Sequence, residues 1–313
     1  MLAVSIRGPR QIELVQVARP VVGNPTDAVV MVTTAGLGPV DIARFRHGGA
    51  GPTLGGEFCG TVVELGAGVR SFDIDDLVFG TTAVGGAADR LFGRHVSGGH
   101  AEYVLVPDAD SSLVRTNGAS EERSLLAGGS LGLGAGAAEL AINALGGGGK
   151  VAVIGCDPCG LGAVAWLRQR RVQGVLAMDP HGARSTLAKR YGATQIDRDE
   201  PKGEADVVIA GELSDGPGIE AVFSAVKSGG TVVFCRPDKL GEWHARFEEA
   251  GVAVVEARWP GAEFASKVAN HVHTRRLDLL PAVSHVVPLD DAQAAYEAAA
   301  DLLPGVQKVL LKL

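Results

Sequence analysis

The strongest constraint on the fold lies between residues 150 and 257, where short apolar runs alternate with helical segments. Val151–Ile154 is an apolar run that ends at Gly155, and a helical segment follows from Gly160. A second apolar run, 174–178, closes at Asp179-Pro180, and a helix over about 183–191 stops at Gly192. Residues 206–210 and 231–235 read as two more buried strands, with a helix over about 218–227 between them, and 252–257 is a last strand. Strands joined through helices need right-handed crossovers, and a series of them winds into a parallel, doubly wound α/β sheet. Such sheets carry their ligands in the crevice beyond the carboxyl ends of the strands.

The flanks read differently. The first 120 residues are short strands broken by Gly and Pro, clearest at 28–33, 60–65 and 101–106. Ser120-Glu121-Glu122 then suits a helix N-terminus, a capping hydroxyl followed by acids in the first turn. The tail offers a helix over about 262–275, a strand at 283–287, a helix over about 290–302 and a closing strand at 307–313. Two domains follow: residues 1–120 with 265–313, rich in β-structure, and residues 121–264, the parallel sheet. Many of the 44 glycines cluster, as at Gly146 to Gly149, between apolar periodic segments, where they serve turns and close backbone approaches.

Several function classes drop out on charge and hydropathy. A formal net charge of −7 repels a phosphate backbone, so no nucleic acid partner is expected. No run reaches the roughly 18 apolar residues that a membrane span needs, so no membrane partner is expected either. Residues 1–14 alternate as a strand does and lack the pattern of a secretory signal. Four cysteines in 313 residues make no disulfide scaffold, which points to a reducing, cytoplasmic setting.

Short stretches along nearly the whole chain resemble the medium-chain dehydrogenase/reductase superfamily. Gly36-Leu37-Gly38-Pro39-Val40-Asp41, with Arg46 and Gly48 after it, is similar to a segment of the zinc-free quinone oxidoreductase branch. Gly55-Gly56-Glu57 stands where zinc-dependent members carry Gly-His-Glu. Residues 72–80 (FDIDDLVFG) and 98–107 (GGHAEYVLVP) match two further family segments. Ser284-His285, Pro288-Leu289 and Gln307-Lys308-Val309 match the tail. The resemblance implies a GroES-like substrate domain joined to a Rossmann-type dinucleotide-binding domain. It implies NAD or NADP as cofactor, held by Gly155, Asp157, Gly160, Leu161, Asp179, Arg184, Gly211 and Lys308. It also implies a homodimer paired through the last strand of the sheet, at 252–257.

Against that pattern, chemistry has been subtracted. A catalytic zinc needs thiolate, imidazole or carboxylate ligands around an open position. The three ligand positions read Gly38, Gly56 and Ser130, and residues 81–97, where a structural zinc lobe would lie, hold no cysteine. No zinc of either kind is expected. Expected proton donors are missing too: Gly38 replaces an Asn, Ala43 a Tyr, and Gly134 a Thr of the helix that lines the nicotinamide pocket.

The loop Gly155-Cys156-Asp157-Pro158-Cys159-Gly160 keeps the first and third glycines of the family's G-x-G-x-x-G and replaces the second by Asp157. Two readings stand. Asp157 either sets a Cβ and a charge against the pyrophosphate, or turns away and caps the following helix. Asp179 ends the second strand, roughly 20 residues beyond the loop, where an acid bonds ribose hydroxyls and favours NAD; an Asp-Pro turn is the plainer account. Arg184 would tolerate NADP, or is an exposed helix residue. Cys156 and Cys159 are a redox pair near a helix N-terminus, or two small buried residues.

Asp41 and Glu57 are the remaining acids of the expected cleft. With Arg44, Arg46 and Lys308 they form either a structural ion-pair network or a group that handles substrate and protons. His47 reads as a loop residue. The leading expectation is a metal-independent NAD(P)-dependent oxidoreductase acting by hydride transfer on a small-molecule enone, quinone or related conjugated carbonyl. Its rivals are a same-fold isomerase, lyase or cyclase without a dinucleotide redox cycle, and a non-catalytic binding protein.

Overall fold

A computed structural model describes residues 1–196, 202–211, 216–235 and 243–313. The chain divides into two compact units, one of Met1–Ser130, Trp259–Arg276 and Val283–Leu313, the other of Leu131–Arg258 and Leu277–Ala282.

The first unit opens with an antiparallel hairpin, β1 (Leu2–Gly8) and β2 (Gln11–Gln16). Then come β3 (Ala28–Gly36), helix α1 (Pro39–His47), β4 (Glu57–Leu65), β5 (Leu77–Gly80), and a small hairpin of β6 (Ala83–Val84) and β7 (Ala87–Leu91). β8 (Tyr103–Val106), the single turn α2 (Ala109–Ser112), β9 (Leu113–Arg115) and α3 (Glu121–Gly128) complete the first pass. α3 packs on β4, so it belongs here and not with the parallel sheet, and the division falls after residue 130 where residue 120 was expected. Ser120 caps α3 as its sequence suggests, accepting from Arg123 N. α1 was not foreseen; Pro39 at its first position and Asp41 in its first turn are ordinary starts for so short a helix.

The second unit begins with α4 (Ser130–Leu145), most of which it contains, and continues with β10 (Val151–Ile154), α5 (Pro158–Gln169), β11 (Val175–Met178), α6 (Gly182–Arg190) and β12 (Thr194–Gln195). β13 (Ala205–Ala210), α7 (Gly216–Ala225), β14 (Val226–Phe234), α8 (Trp243–Glu249) and β15 (Ala253–Glu256) follow. The chain then adds α9 (Ala262–His273), β16 (Val283–Pro288), α10 (Ala292–Ala300) and β17 (Lys308–Lys312) to the first unit.

The sheet of the second unit is parallel, in the order β12-β11-β10-β13-β14-β15. This is the doubly wound topology, with its switch of direction at β10 and β13. β10 is buried along its whole length, as a central parallel strand must be. Register sets the edge that matters: Ile154 pairs with Met178 on one side and Ala210 on the other, so Gly155, Asp179 and Gly211 line up just beyond the carboxyl ends. β12, two residues long, carries too little pattern to be read from sequence. β15 is the outermost strand opposite it.

In the first unit the main sheet runs β16-β17-β3-β4-β5-β9, with β8 also on β3. Gly36 pairs with Glu57 on β4 and with Leu310 on β17. Residues from the start of the chain and from its last six thus meet at one point. Among the described residues no single helix is long and apolar enough to cross a membrane.

Candidate functional site

In the first unit the meeting of β3, β4 and β17 buries an ion pair. Lys308 Nζ lies 2.6 Å from Glu57 Oε2, with the two side chains 0% and 1% exposed. The ammonium also donates to Leu37 O at 2.7 Å and to Ser130 Oγ at 3.3 Å, while Glu57 Oε2 meets it as an ion contact and accepts no hydrogen bond. Glu57 Oε1 accepts from Ser130 N at 3.0 Å. Lys308, expected among the cofactor residues, is here the counter-ion of Glu57.

Asp41 is equally committed. Fully buried, it accepts from Gly38 N at 3.0 Å and Gly55 N at 2.7 Å, with Gly56 N at 3.4 Å. It ties the head of α1 to the turn before β4. Arg44 donates to the carbonyls of Pro52 and Gly93, and Arg46 to the carbonyl of Ala300. Burial pulls the Arg44 guanidinium below its ordinary value, against the opposing pull of Asp41. His47 is exposed at the end of α1. Of the two readings of these acids and bases, the geometry is that of a structural network.

Sequence reasoning missed Tyr296 of α10. Its hydroxyl lies 2.7 Å from Nδ1 of His100, and Nε2 of His100 lies 3.2 Å from Gly36 O. A carbonyl only accepts, so Nε2 carries the proton and Nδ1 accepts from the tyrosine. Burial pushes the imidazole down, away from protonation, and pushes the phenol well up. Only the spacing of α10, which sends Tyr296 inward with Ala292 and Ala295, hinted at this.

Zinc finds no ligands at the three positions to which the resemblance points. Gly38, Gly56 and Ser130 offer no thiolate, imidazole or carboxylate, and a Cβ added at Gly38 would stand 3.1 Å from Glu57 Oε1. Among the described residues no group of three or more His, Cys, Asp or Glu is placed to hold a metal ion. Residues 81–97 contain the β6–β7 hairpin, and His95 Nδ1 accepts there from Leu91 N.

The second unit builds the crevice of a dinucleotide fold. Gly155 turns the chain with φ of +86°, a conformation that favours glycine. A Cβ on Gly160 would lie 1.9 Å from Gly155 O, so this glycine permits close helix–strand packing. A Cβ on Gly211 would lie 2.3 Å from the same carbonyl. Leu161 is buried in the core.

Asp157 is the N-cap of α5. Its Oδ1 accepts from Gly160 N at 3.0 Å, and the residue is 2% exposed. The side chain turns into the head of its own helix, which is the capping reading. The loop therefore keeps the turn and the packing that a dinucleotide needs. Asp157→Ala is expected to cost about 1 kcal/mol, and Asp157→Gly a few tenths, because glycine is tolerated at a cap. NADH affinity is expected to change less than about threefold. Thermal unfolding paired with NADH fluorescence titration checks both; a large gain in affinity would show that the carboxylate faces the pyrophosphate.

Asp179 is tied down. Oδ2 accepts from Cys156 N at 2.7 Å; Oδ1 accepts from His181 N at 2.8 Å and faces His181 Nδ1 at 3.0 Å. Its side chain is 2% exposed, so it has little left to offer ribose hydroxyls. Arg184 is buried beside it rather than exposed. Cys156 and Cys159 are both buried and outside any disulfide, and burial, with Asp179 and Asp157 nearby, pushes the Cys156 thiol well up, opposite to a reactive thiolate. Gly134 is a helix contact: a Cβ there would stand 1.8 Å from Cys159 O of α5.

Residues 24–116 match the family described as alcohol dehydrogenase GroES-like domain. The medium chain reductase/dehydrogenase ucsI of Acremonium sp is 33% identical over 255 residues, 73% of this chain and 86% of that protein. Zinc-type alcohol dehydrogenase B of Aspergillus flavus is 29% identical, covering 100% of this chain and 81% of that one. In fold, the chain is similar to an alcohol dehydrogenase (rspB) of Escherichia coli CFT073 solved with NADH. The TM-score is 0.82 at 20% identity, with 100% of this chain and 99% of that one covered.

Proposed function

The chain belongs to the medium-chain dehydrogenase/reductase superfamily, a family of NAD(P)-dependent oxidoreductases, and on that premise we propose a metal-independent reductase of enones, quinones or related conjugated carbonyls. One observation carries the reading: Asp41, Arg44, Arg46 and Glu57 are each committed to partners within the first unit. An isomerase, lyase or cyclase needs an acid or base from the protein, and none of these four is at liberty to serve. Hydride transfer from a nicotinamide to a conjugated acceptor leaves an enolate or hydroquinone anion. Its proton can come from solvent water, so that the protein itself need not supply it.

A bound reduced nicotinamide supplies hydride. The chain's part is to bind and orient. Gly155, Gly160 and Gly211 open the crevice at the carboxyl ends of β10 and β13, where the backbone must come close to the ligand. In place of the metal that polarises a carbonyl in zinc members, Lys308 already neutralises Glu57. With no Lewis acid to stabilise an alkoxide, a conjugated acceptor suits the site better than a simple ketone, because its charge spreads over the conjugated system. The free edge of β15 is where a second copy would pair, as a homodimer.

The test combines metal analysis with turnover. Protein prepared with zinc present and then dialysed is expected to hold no stoichiometric metal. It is expected to oxidise NADH or NADPH with an enone or quinone, in the presence of a chelator, at least about a hundredfold faster than with a saturated ketone. Retained zinc, or activity that a chelator abolishes, would overturn the reading.

A further inference from the structure

Ser130 is 1% exposed, and its hydroxyl is only half satisfied. Oγ accepts from Lys308 Nζ at 3.3 Å, while the hydroxyl hydrogen meets no acceptor in the hydrogen bonds of the described residues. The neighbouring carboxylate is engaged elsewhere: Glu57 Oε1 takes Ser130 N at 3.0 Å, and Oε2 faces the ammonium. A hydroxyl carries one donor and two acceptor positions. Burying the donor unmatched is costly unless a ligand oxygen completes it.

The surroundings suit that hydroxyl to an oxygen of dispersed negative charge. Lys308 draws electron density from Oγ, which makes the O–H a stronger donor. Ser130 opens α4, so it stands at the positive end of a 16-residue helix. Glu57 balances the ammonium from 2.6 Å away, so no net charge stands behind the hydroxyl. A localised alkoxide calls for a metal or a full positive charge, whereas an enolate or hydroquinone anion is served by a strong neutral donor. Of the three positions where the resemblance puts ligands of a metal, Gly38 and Gly56 carry no side chain, and Ser130 is the one with a proton to offer. Ser130, Lys308 and Glu57 all belong to the first unit.

We propose that Ser130 is a catalytic residue whose hydroxyl donates to the carbonyl oxygen of a conjugated acceptor, with Lys308 as the residue that positions and polarises it. The inference rests on the reading of the chain as a reductase of conjugated carbonyls. In an enone, the hydride brings its electron pair from the nicotinamide, which is oxidised, and forms a C–H bond at the β-carbon. The C=C π pair moves to the bond between the α-carbon and the carbonyl carbon, and the C=O π pair moves onto oxygen. Ser130 holds that oxygen through its hydrogen and keeps its own proton. The α-carbon then takes a proton from water.

The experiment pairs turnover with a spectrum. Wild type, Ser130→Ala, Ser130→Cys and Ser130→Thr are assayed with cyclohexenone and naphthoquinone, using NADH and NADPH, and thermal unfolding is run on each. Ser130→Ala and Ser130→Cys are expected to lose about a hundredfold in kcat, the effect of one oxyanion donor, with KM changed less than about threefold. Ser130→Thr keeps the hydroxyl and is expected to stay within about tenfold of wild type. Infrared difference spectra are taken of cyclohexenone isotopically labelled at its carbonyl carbon and bound beside the oxidised cofactor. The carbonyl stretch is expected below its hexane frequency in wild type and Ser130→Thr, and at the hexane frequency in Ser130→Ala. A lowered melting temperature with unchanged kcat in Ser130→Ala would confine the hydroxyl to holding Lys308. That result would overturn the proposal and leave the reductase reading standing. A wild-type stretch at the hexane frequency would overturn it even if every variant fails to fold. Failure of the wild type to reduce either acceptor would sink the reductase reading and the proposal together.

Discussion

Lys308→Met is expected to destabilise the protein by about 3–5 kcal/mol, the cost of leaving a buried carboxylate without its counter-ion. Glu57 is 1% exposed, and its other oxygen holds Ser130 N, so the side chain has no way to reach water. The loss is one-sided. Lys308→Met combined with Glu57→Gln removes both charges, and this pair is expected to recover most of the stability, since a well-packed neutral pair often equals a buried ion pair. Urea unfolding of the wild type, both single variants and the double variant measures the coupling directly. A loss under 1 kcal/mol for Lys308→Met would show that the pair is open to solvent and that the ammonium is at liberty to meet a ligand.

Gly134→Thr, which restores the residue that the resemblance leads one to expect, is expected to damage the second unit by roughly 3 kcal/mol or more. The obstacle is backbone: a Cβ at 134 meets Cys159 O at 1.8 Å, and one at Gly162 meets Leu131 O at 2.2 Å. α4 and α5 thus approach through two glycines that face each other's carbonyls, and a carbonyl in a helix has no rotamer to escape into. Gly134→Ala is expected to cost a large part of the same amount, because the Cβ alone makes the clash. Gly23→Ala, where nothing lies within 4 Å, is the control and is expected to stay within about 0.5 kcal/mol. If Gly134→Thr unfolds at the wild-type temperature, the helices stand further apart than the structure has them. Gly134 would then be a lost pocket residue after all.

Much of the architecture was legible because it depends on local pattern. β10, β11, β13, β15 and the second half of β14 fall on apolar runs, whereas the polar start of β14 at Val226 lies where a helix end was expected and α8 carries no expectation from the sequence. Boundaries moved for local reasons as well. α5 begins at Pro158, two residues before Gly160, because Asp157 caps it. The residue types at Gly38, Gly56, Ser130 and Asp157 needed no coordinates.

What each of those residues does was decided by tertiary structure. Lys308 and Glu57 are 251 positions apart, and only the antiparallel register of β3 with β4 and β17 brings them together. A side chain's partners depend on what covers it, and cover comes from distant segments. Asp179 is the clearest case: its place at the end of a strand can be read from the sequence. Whether its carboxylate faces a ligand or the amide of Cys156 depends on how the neighbouring loop folds over it. Arg184 reads as an exposed helix residue by type, and its burial follows from the packing at the head of α6. Sequence by itself determined the α/β fold and which residue types stand at each position, because period and chemical type are properties of residues. Tertiary structure alone decided which partners each charge meets, because hydrogen-bond partners and desolvation are properties of place.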